Sequence, residues 1–254
     1  MKRPLILLTN DDGIYAPGIF SLWKNISLYA DVIVAAPNTE KSAASHAITI
    51  LKPIQIKKIN REDGFKGFSI KGTPADCVKV AFQTLLPQKP DFVISGINRG
   101  SNLGSNILYS GTVSAAAEGH MQGVPSIAIS LDSHKPKDYN VATYAFDKVF
   151  KSLLESKIKN NILLNINVPN CLISSIKGFK ITEQGNQHFQ DNFELNKDPY
   201  DNNYVWMSGK VIDEDLDIRY DGAAVRSDYV SITPLEYKLS RHQDINLLKN
   251  NLNI

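Results

Sequence analysis

The sequence predicts an α/β protein built on a parallel sheet. Three observations lead there. Short apolar runs recur along residues 1–169. Amphipathic segments of helical period separate them. Each run ends at Pro, Gly or polar punctuation. Continuous apolar strands that alternate with helices imply a sheet covered on both faces.

The elements follow in chain order. Residues 5–8 are apolar throughout and stop at Asn10-Asp11-Asp12-Gly13, which reads as a buried strand. A leader peptide is the other reading of a basic start before apolar residues, but this run is too short for one. Residues 14–29 read as a helix, with Ile19, Leu22, Trp23 and Ile26 on one face. Residues 31–36 form the next strand, closed by Pro37. Residues 49–68 break the rhythm. Ile54, Ile56, Phe68 and Ile70 around Asp63-Gly64 predict a hairpin beside the main sheet, near residues 49–71. Residues 77–86 read as a helix and 91–95 as a strand ended by Gly96. Residues 112–122 are Ala-rich and helical, closed by Gly123. Residues 126–130 are strand, 139–155 a long helix, and 161–167 a strand stopped by Pro169.

Beyond Pro169 the composition shifts. Residues 189–203 are rich in Asn and Asp. Residues 204–211, Ile218 and residues 229–233 read as strands of a projecting β region, and 237–254 as a short helix. An arm of this kind packs on another subunit or stays solvated. The division expected is one domain over 1–254, with an α/β core to about 169 and an arm plus helix for oligomer contacts from 170.

Composition bounds the function. There are 28 basic and 26 acidic residues, a net charge of +2. A nucleic-acid polymer is not an expected partner, because such binders carry a clustered basic excess. No apolar stretch approaches the roughly 20 residues that span a bilayer, so no membrane partner is expected. With 2 cysteines, Cys77 and Cys171, a disulfide framework is not expected and a cytoplasmic location fits.

In parallel α/β sheets, ligands gather beyond the carboxyl ends of the strands. Three polar loops fall at that edge: Asn10-Asp11-Asp12-Gly13, residues 37–45, and Gly96-Ile97-Asn98-Arg99-Gly100. Adjacent aspartates in a semi-buried crevice repel, and a divalent cation offsets them most directly. Carboxylate, amide and hydroxyl oxygens select hard cations. An Asp N-cap or turn is the structural alternative. Ser110-Gly111-Thr112 precedes a helix, whose N-terminus favours phosphate. The same segment also reads as a glycine-rich loop with a Thr N-cap. Thr73 or Asp76 reads as a helix cap. Among the 5 histidines, His46 is the one expected to approach a site, and none pairs at metal-ligand spacing. Tyr15 and Tyr109 flank candidate loops, where core packing is the expected role of each.

Taken together, these segments resemble the SurE, or stationary-phase survival protein, family. The ordered motifs are Leu8-Thr9-Asn10-Asp11-Asp12-Gly13 with Ala16-Pro17-Gly18, Ala36-Pro37 with Ser42, and Gly72-Thr73-Pro74-Ala75-Asp76-Cys77-Val78. Then come Ser95-Gly96-Ile97-Asn98 with Gly100, Asn102 and Gly104, and Tyr109-Ser110-Gly111-Thr112-Val113 with Ala115-Ala116 and Glu118-Gly119. Asn167-Val168-Pro169, Asp221 and Tyr229-Val230-Ser231-Ile232-Thr233-Pro234-Leu235 close the set. The resemblance implies a Rossmann-like three-layer αβα sandwich with a mainly parallel sheet and a protruding C-terminal β arm. It implies a homodimer or homotetramer formed through that arm. It further implies a metal-dependent nucleotidase that hydrolyses nucleoside 5'-monophosphates and also 3'-monophosphates.

The implied metal ligands are Asp11, Asp12, Ser42 and Asn98, holding one Mg²⁺ or Mn²⁺ per subunit. Asp11 and Asp12 are the implied catalytic residues. Asn102, Ser110, Gly111 and Thr112 are the expected phosphate-binding set. Ala43 stands where the family commonly has Gly, Asn38 where it often has Asp, and Tyr220 where its arm has Thr. A phosphatase with a carboxylate nucleophile, of haloacid dehalogenase type, does not fit. Its acid lies two residues from its nucleophile, and those positions are Gly13 and Asn10. A nucleotide-binding module without turnover is the non-enzymatic alternative.

Overall fold

A computed structural model describes residues 3–156, 158 and 161–252. Its centre is a nine-stranded sheet in the order β3-β4-β2-β1-β5-β6-β7-β11-β8. The strands are β1 Leu5–Thr9, β2 Asp31–Pro37, β3 Ile56–Asn60, β4 Lys66–Ile70, β5 Phe92–Arg99, β6 Ser126–Leu131, β7 Leu163–Val168, β8 Gly178–Ile181 and β11 Tyr229–Pro234. Strands β4, β2, β1, β5, β6 and β7 run parallel to one another, whereas β3 is antiparallel to β4 and β11 to β7. The helices are α1 Pro17–Ile26, α2 Pro74–Val80, α3 Gly111–Met121, α4 Asn140–Glu155, α5 Asp221–Arg226 and α6 His242–Asn251.

Strand β1 shows why three layers form. Its Ile6 and Leu8 join one core with Ile19, Leu22 and Ile26 of α1 and Phe146 and Phe150 of α4. Its Leu7 points the other way, into a core with Cys77 and Val78 of α2 and Ala115 of α3. All three are fully buried. The period-2 pleat thus sends one apolar run to both faces.

Several boundaries differ from the sequence reading. Helix α1 begins at Pro17, in the first turn, where a missing N–H costs nothing. The residues before it form a turn in which Ala16 N–H donates to Gly13 O at 3.0 Å. Helix α2 begins at Pro74, before residue 77. Thr73 caps it, and Thr73 and Asp76 satisfy each other's backbone N–H groups. Strand β5 runs on to Arg99, through residues expected as loop, with a register break between Ser95 and Asn98. Ser110, rather than Thr112, caps α3, accepting from Val113 N–H at 3.1 Å.

The hairpin of β3 and β4 is an edge of the main sheet rather than a neighbour of it, because β4 pairs with β2. Strand β11 also lies in the main sheet, between β7 and β8, and not in a projecting region. Ile218 sits in a turn. What projects is a two-stranded hairpin of β9 His188–Lys197 and β10 Asn203–Ile212. The expected tail helix is α6, and residues 253–254 lie outside the described ones. No helix among the described residues is long and apolar enough to cross a membrane.

Candidate active site

Because β2, β1, β5 and β6 are adjacent and parallel, the loops after them share one sheet edge. A cavity of about 430 Å³ opens there. Asp11, Asp12, Ser42, Asn98, Asn102 and Ser110 all line it, so the structure brings six of the sequence-selected residues together. Gly111 and Thr112 stand behind the wall, both buried.

Asp11 is 5% exposed. The Thr112 hydroxyl donates to its carboxylate. Gly111 presses on it as well, for a Cβ there would come within 2.8 Å of the Asp11 Cβ. Burial pushes the Asp11 carboxyl up to about 6, against the Thr112 hydrogen bond and with the neighbouring Asp12 charge adding to the rise. The Asp12 side chain is 4% exposed, and Arg99 Nε donates to it at 3.0 Å. Burial raises its pKa too, opposed by Arg99.

The second and third loops complete the edge. Ser42 Oγ donates to Glu40 at 2.7 Å, and Arg99 Nη2 donates to the other Glu40 oxygen at 2.8 Å. Asn98 Nδ2 donates to Gly100 O at 2.7 Å, which leaves its amide oxygen free to face a ligand. Asn102 is fixed from below. Its N–H donates to Asn167, its Nδ2 to Ser130 Oγ, and its carbonyl accepts from Asn165 and Asn167. One Nδ2 hydrogen of Asn102 therefore remains for a ligand.

The donor set suits a hard divalent cation. Two buried carboxylates, each biased by burial against its charge, meet a hydroxyl and an amide oxygen at one cavity. Among the described residues no cluster of three or more His, Cys, Asp and Glu side chains offers a metal site. If the aspartate pair holds a cation, Ser42 and Asn98 would supply neutral oxygens beside it.

Other expectations resolve differently. His46 lies off the cavity, with its Nε2 at 3.1 Å from Glu118. Tyr109 lines the cavity and is 62% exposed, and Tyr15 is 59% exposed, so neither is a core residue. Glu40, Arg99 and His134 line the site and were not singled out by sequence. His134 was findable: it follows β6, at the same carboxyl edge as the other loops. Ala43 has φ 55, in the left-handed region that favours glycine.

The sequence model of the family described as "Survival protein SurE" matches residues 6–191. The chain belongs to the SurE family. A "5'-nucleotidase SurE" of Natranaerobius thermophilus is 45% identical, over 96% of this chain and 97% of the relative. A "5'-nucleotidase SurE" of Syntrophobacter fumaroxidans is 41% identical, over 96% of this chain and 97% of the relative. The crystal structure of the SurE protein from Aquifex aeolicus superposes with a TM-score of 0.83 at 37% identity, covering 97% of this chain and 99% of that one. The SurE match spans β1 to the start of the hairpin, and so includes every loop of the cavity.

Proposed function

We propose that the protein is a metal-dependent 5'-nucleotidase that also accepts 3'-nucleoside monophosphates. The observation that carries this is the buried aspartate pair, Asp11 and Asp12, opening onto one cavity with Ser42 and Asn98. The SurE relatives named as 5'-nucleotidases support the substrate class.

Asp11, Asp12, Ser42 and Asn98 would hold one Mg²⁺ or Mn²⁺. When bound, the ion supplies Lewis acidity toward a phosphate oxygen and neutralises the pair. The chain's own groups do the rest. Thr112 fixes Asp11 from behind, so a carboxylate oxygen is aimed at the cavity. An oxygen of Asp11 or Asp12 that the ion leaves unliganded would take a proton from the attacking water. Ser110 and the remaining Asn102 N–H face the phosphate, with the N–H groups at the start of α3 adding partial positive charge. Gly111 admits close approach and Thr112 supports Asp11, so both serve the phosphate set from behind the wall. Arg99 neutralises Asp12 and Glu40.

The exposed β9–β10 hairpin supports a homodimer or homotetramer formed through it, with α6 as a second contact. The free thiols of Cys77 and Cys171 fit a cytoplasmic location.

Phosphate release from a panel of 5'- and 3'-nucleoside monophosphates, with Mg²⁺, with Mn²⁺ and with chelator, tests the proposal. Turnover that requires metal is expected. Nucleotide binding without phosphate release would make the protein a binding module instead.

A further inference from the structure

Hydrolysis of a nucleotide expels a nucleoside alkoxide, which needs a proton at neutral pH. The groups that line the cavity leave few donors. Asp11, Asp12 and Glu40 accept hydrogen bonds from Thr112, Arg99 and Ser42. The Arg99 guanidinium does not release its proton. Ser42, Ser101, Ser110 and Tyr109 carry hydroxyls, weaker proton donors than an imidazolium. The remaining donor is His134, whose imidazole lines the same cavity and can carry a proton on either ring nitrogen.

The ring is built into the site. Gly100 N–H donates to Leu131 O at 2.9 Å, and Ser101 Oγ donates to Asp132 at 2.7 Å. These bonds fasten the loop after β6 to the loop after β5. Gly100 itself forms the floor under the imidazole. A Cβ there would lie 2.6 Å from Cε1 and 2.8 Å from Nδ1 of His134. Only glycine, here at φ 95, leaves that space. Asp12, Glu40 and Arg99 are the charges across the cavity, and Asp132 and Lys135 flank the histidine in its own loop.

We infer that His134 is a catalytic residue, the acid that protonates the departing nucleoside oxygen. This rests on the phosphomonoesterase reading above. The water oxygen forms the new P–O bond. The ester P–O bond breaks, and its electron pair stays on the nucleoside oxygen. That oxygen takes the imidazolium proton, which leaves His134 neutral. The proton lost by water goes to a carboxylate of the aspartate pair. His134 is exposed, so solvent returns its proton.

The test compares two leaving groups in wild type, His134→Gln and His134→Ala, with Mn²⁺ present. AMP needs leaving-group protonation, whereas p-nitrophenyl phosphate expels a stable anion. We expect kcat on AMP to fall about 10²-fold or more. Turnover of p-nitrophenyl phosphate and KM for AMP should change less than about threefold, with Tm unchanged. Added imidazole should restore part of the AMP turnover of His134→Ala. Equal losses on both esters, or no loss on AMP, would overturn the assignment. A wild-type protein inert toward both esters would instead overturn the phosphatase reading, and this inference with it.

Discussion

The loop edge of the sheet and the β9–β10 hairpin invert the ordinary partition of residues in opposite directions. At the loop edge, polar groups are buried: Asp11 is 5% exposed, Asn102 7% and Thr112 0%. On the hairpin, large apolar groups are bare: Leu195 is 69% exposed, Trp206 68% and Met207 64%. Phe193 pairs across the hairpin with Met207, and Leu195 with Val205, so these four form one continuous face, while Trp206, paired with Glu194, lies on the other. Arg99 faces Asp12, but the partners of buried Asp11 are the Thr112 hydroxyl and the like charge of Asp12, a costly arrangement, and exposed apolar patches mark interaction surfaces. Each region is therefore incomplete alone. On the proposed function, one would take a cation and an anionic ligand, and the other a second protein surface.

The comparison can be broken first at the aspartates. Asp11→Asn and Asp12→Asn should each lower nucleotide turnover at least about 10²-fold, measured as phosphate release. Both variants should fold, because burial already disfavours these charges. Thr112→Val comes next. It removes the hydroxyl that holds Asp11 and keeps the volume. A loss of about 1–3 kcal/mol is expected by denaturant titration, with a smaller loss of kcat than at Asp11.

Acid should act through Glu118, which ties His46 of the Ser42 loop to Lys79 of α2. Burial alone would raise its carboxyl, but hydrogen bonds from His46, Gln122 and Lys79 outweigh it and hold the pKa at about 2. A folded pKa below the unfolded one stabilises the fold above the ordinary carboxylate range. That contribution is lost as pH falls toward 2. Glu118→Gln should flatten this part of the stability-versus-pH curve, by a difference on the order of 2 kcal/mol at neutral pH. The smallest effect on stability belongs to the hairpin. Met207→Glu, on the apolar face with Phe193, Leu195 and Val205, should alter unfolding by no more than about 0.5 kcal/mol while reducing the mass measured by light scattering.

Much of this was legible in the sequence. The runs at 5–8 and 126–130 each became a fully buried strand, and that at 31–36 a strand buried from Val34 onward, because a doubly covered sheet demands apolar residues. The edge rule then placed Asp11, Ser42 and Asn98 at one cavity. Three things escaped. Strand β11 reads locally like any alternating strand, and only pairing with β7 and β8 puts it in the main sheet. Strand β9 is Asn- and Asp-rich, and its register comes from β10 rather than from its own pattern. Arg99 and His134 carry no local signature. Their meaning comes from facing Asp12 and Gly100 across the cavity.

The central claim is that the carboxylates at the end of β1 hold a cation on which hydrolysis depends. The most direct measurement is AMP turnover by metal-stripped protein as Mn²⁺ is titrated in. No turnover is expected without metal, and a rise that saturates at one tightly bound ion per chain. Full turnover in the presence of chelator would contradict it.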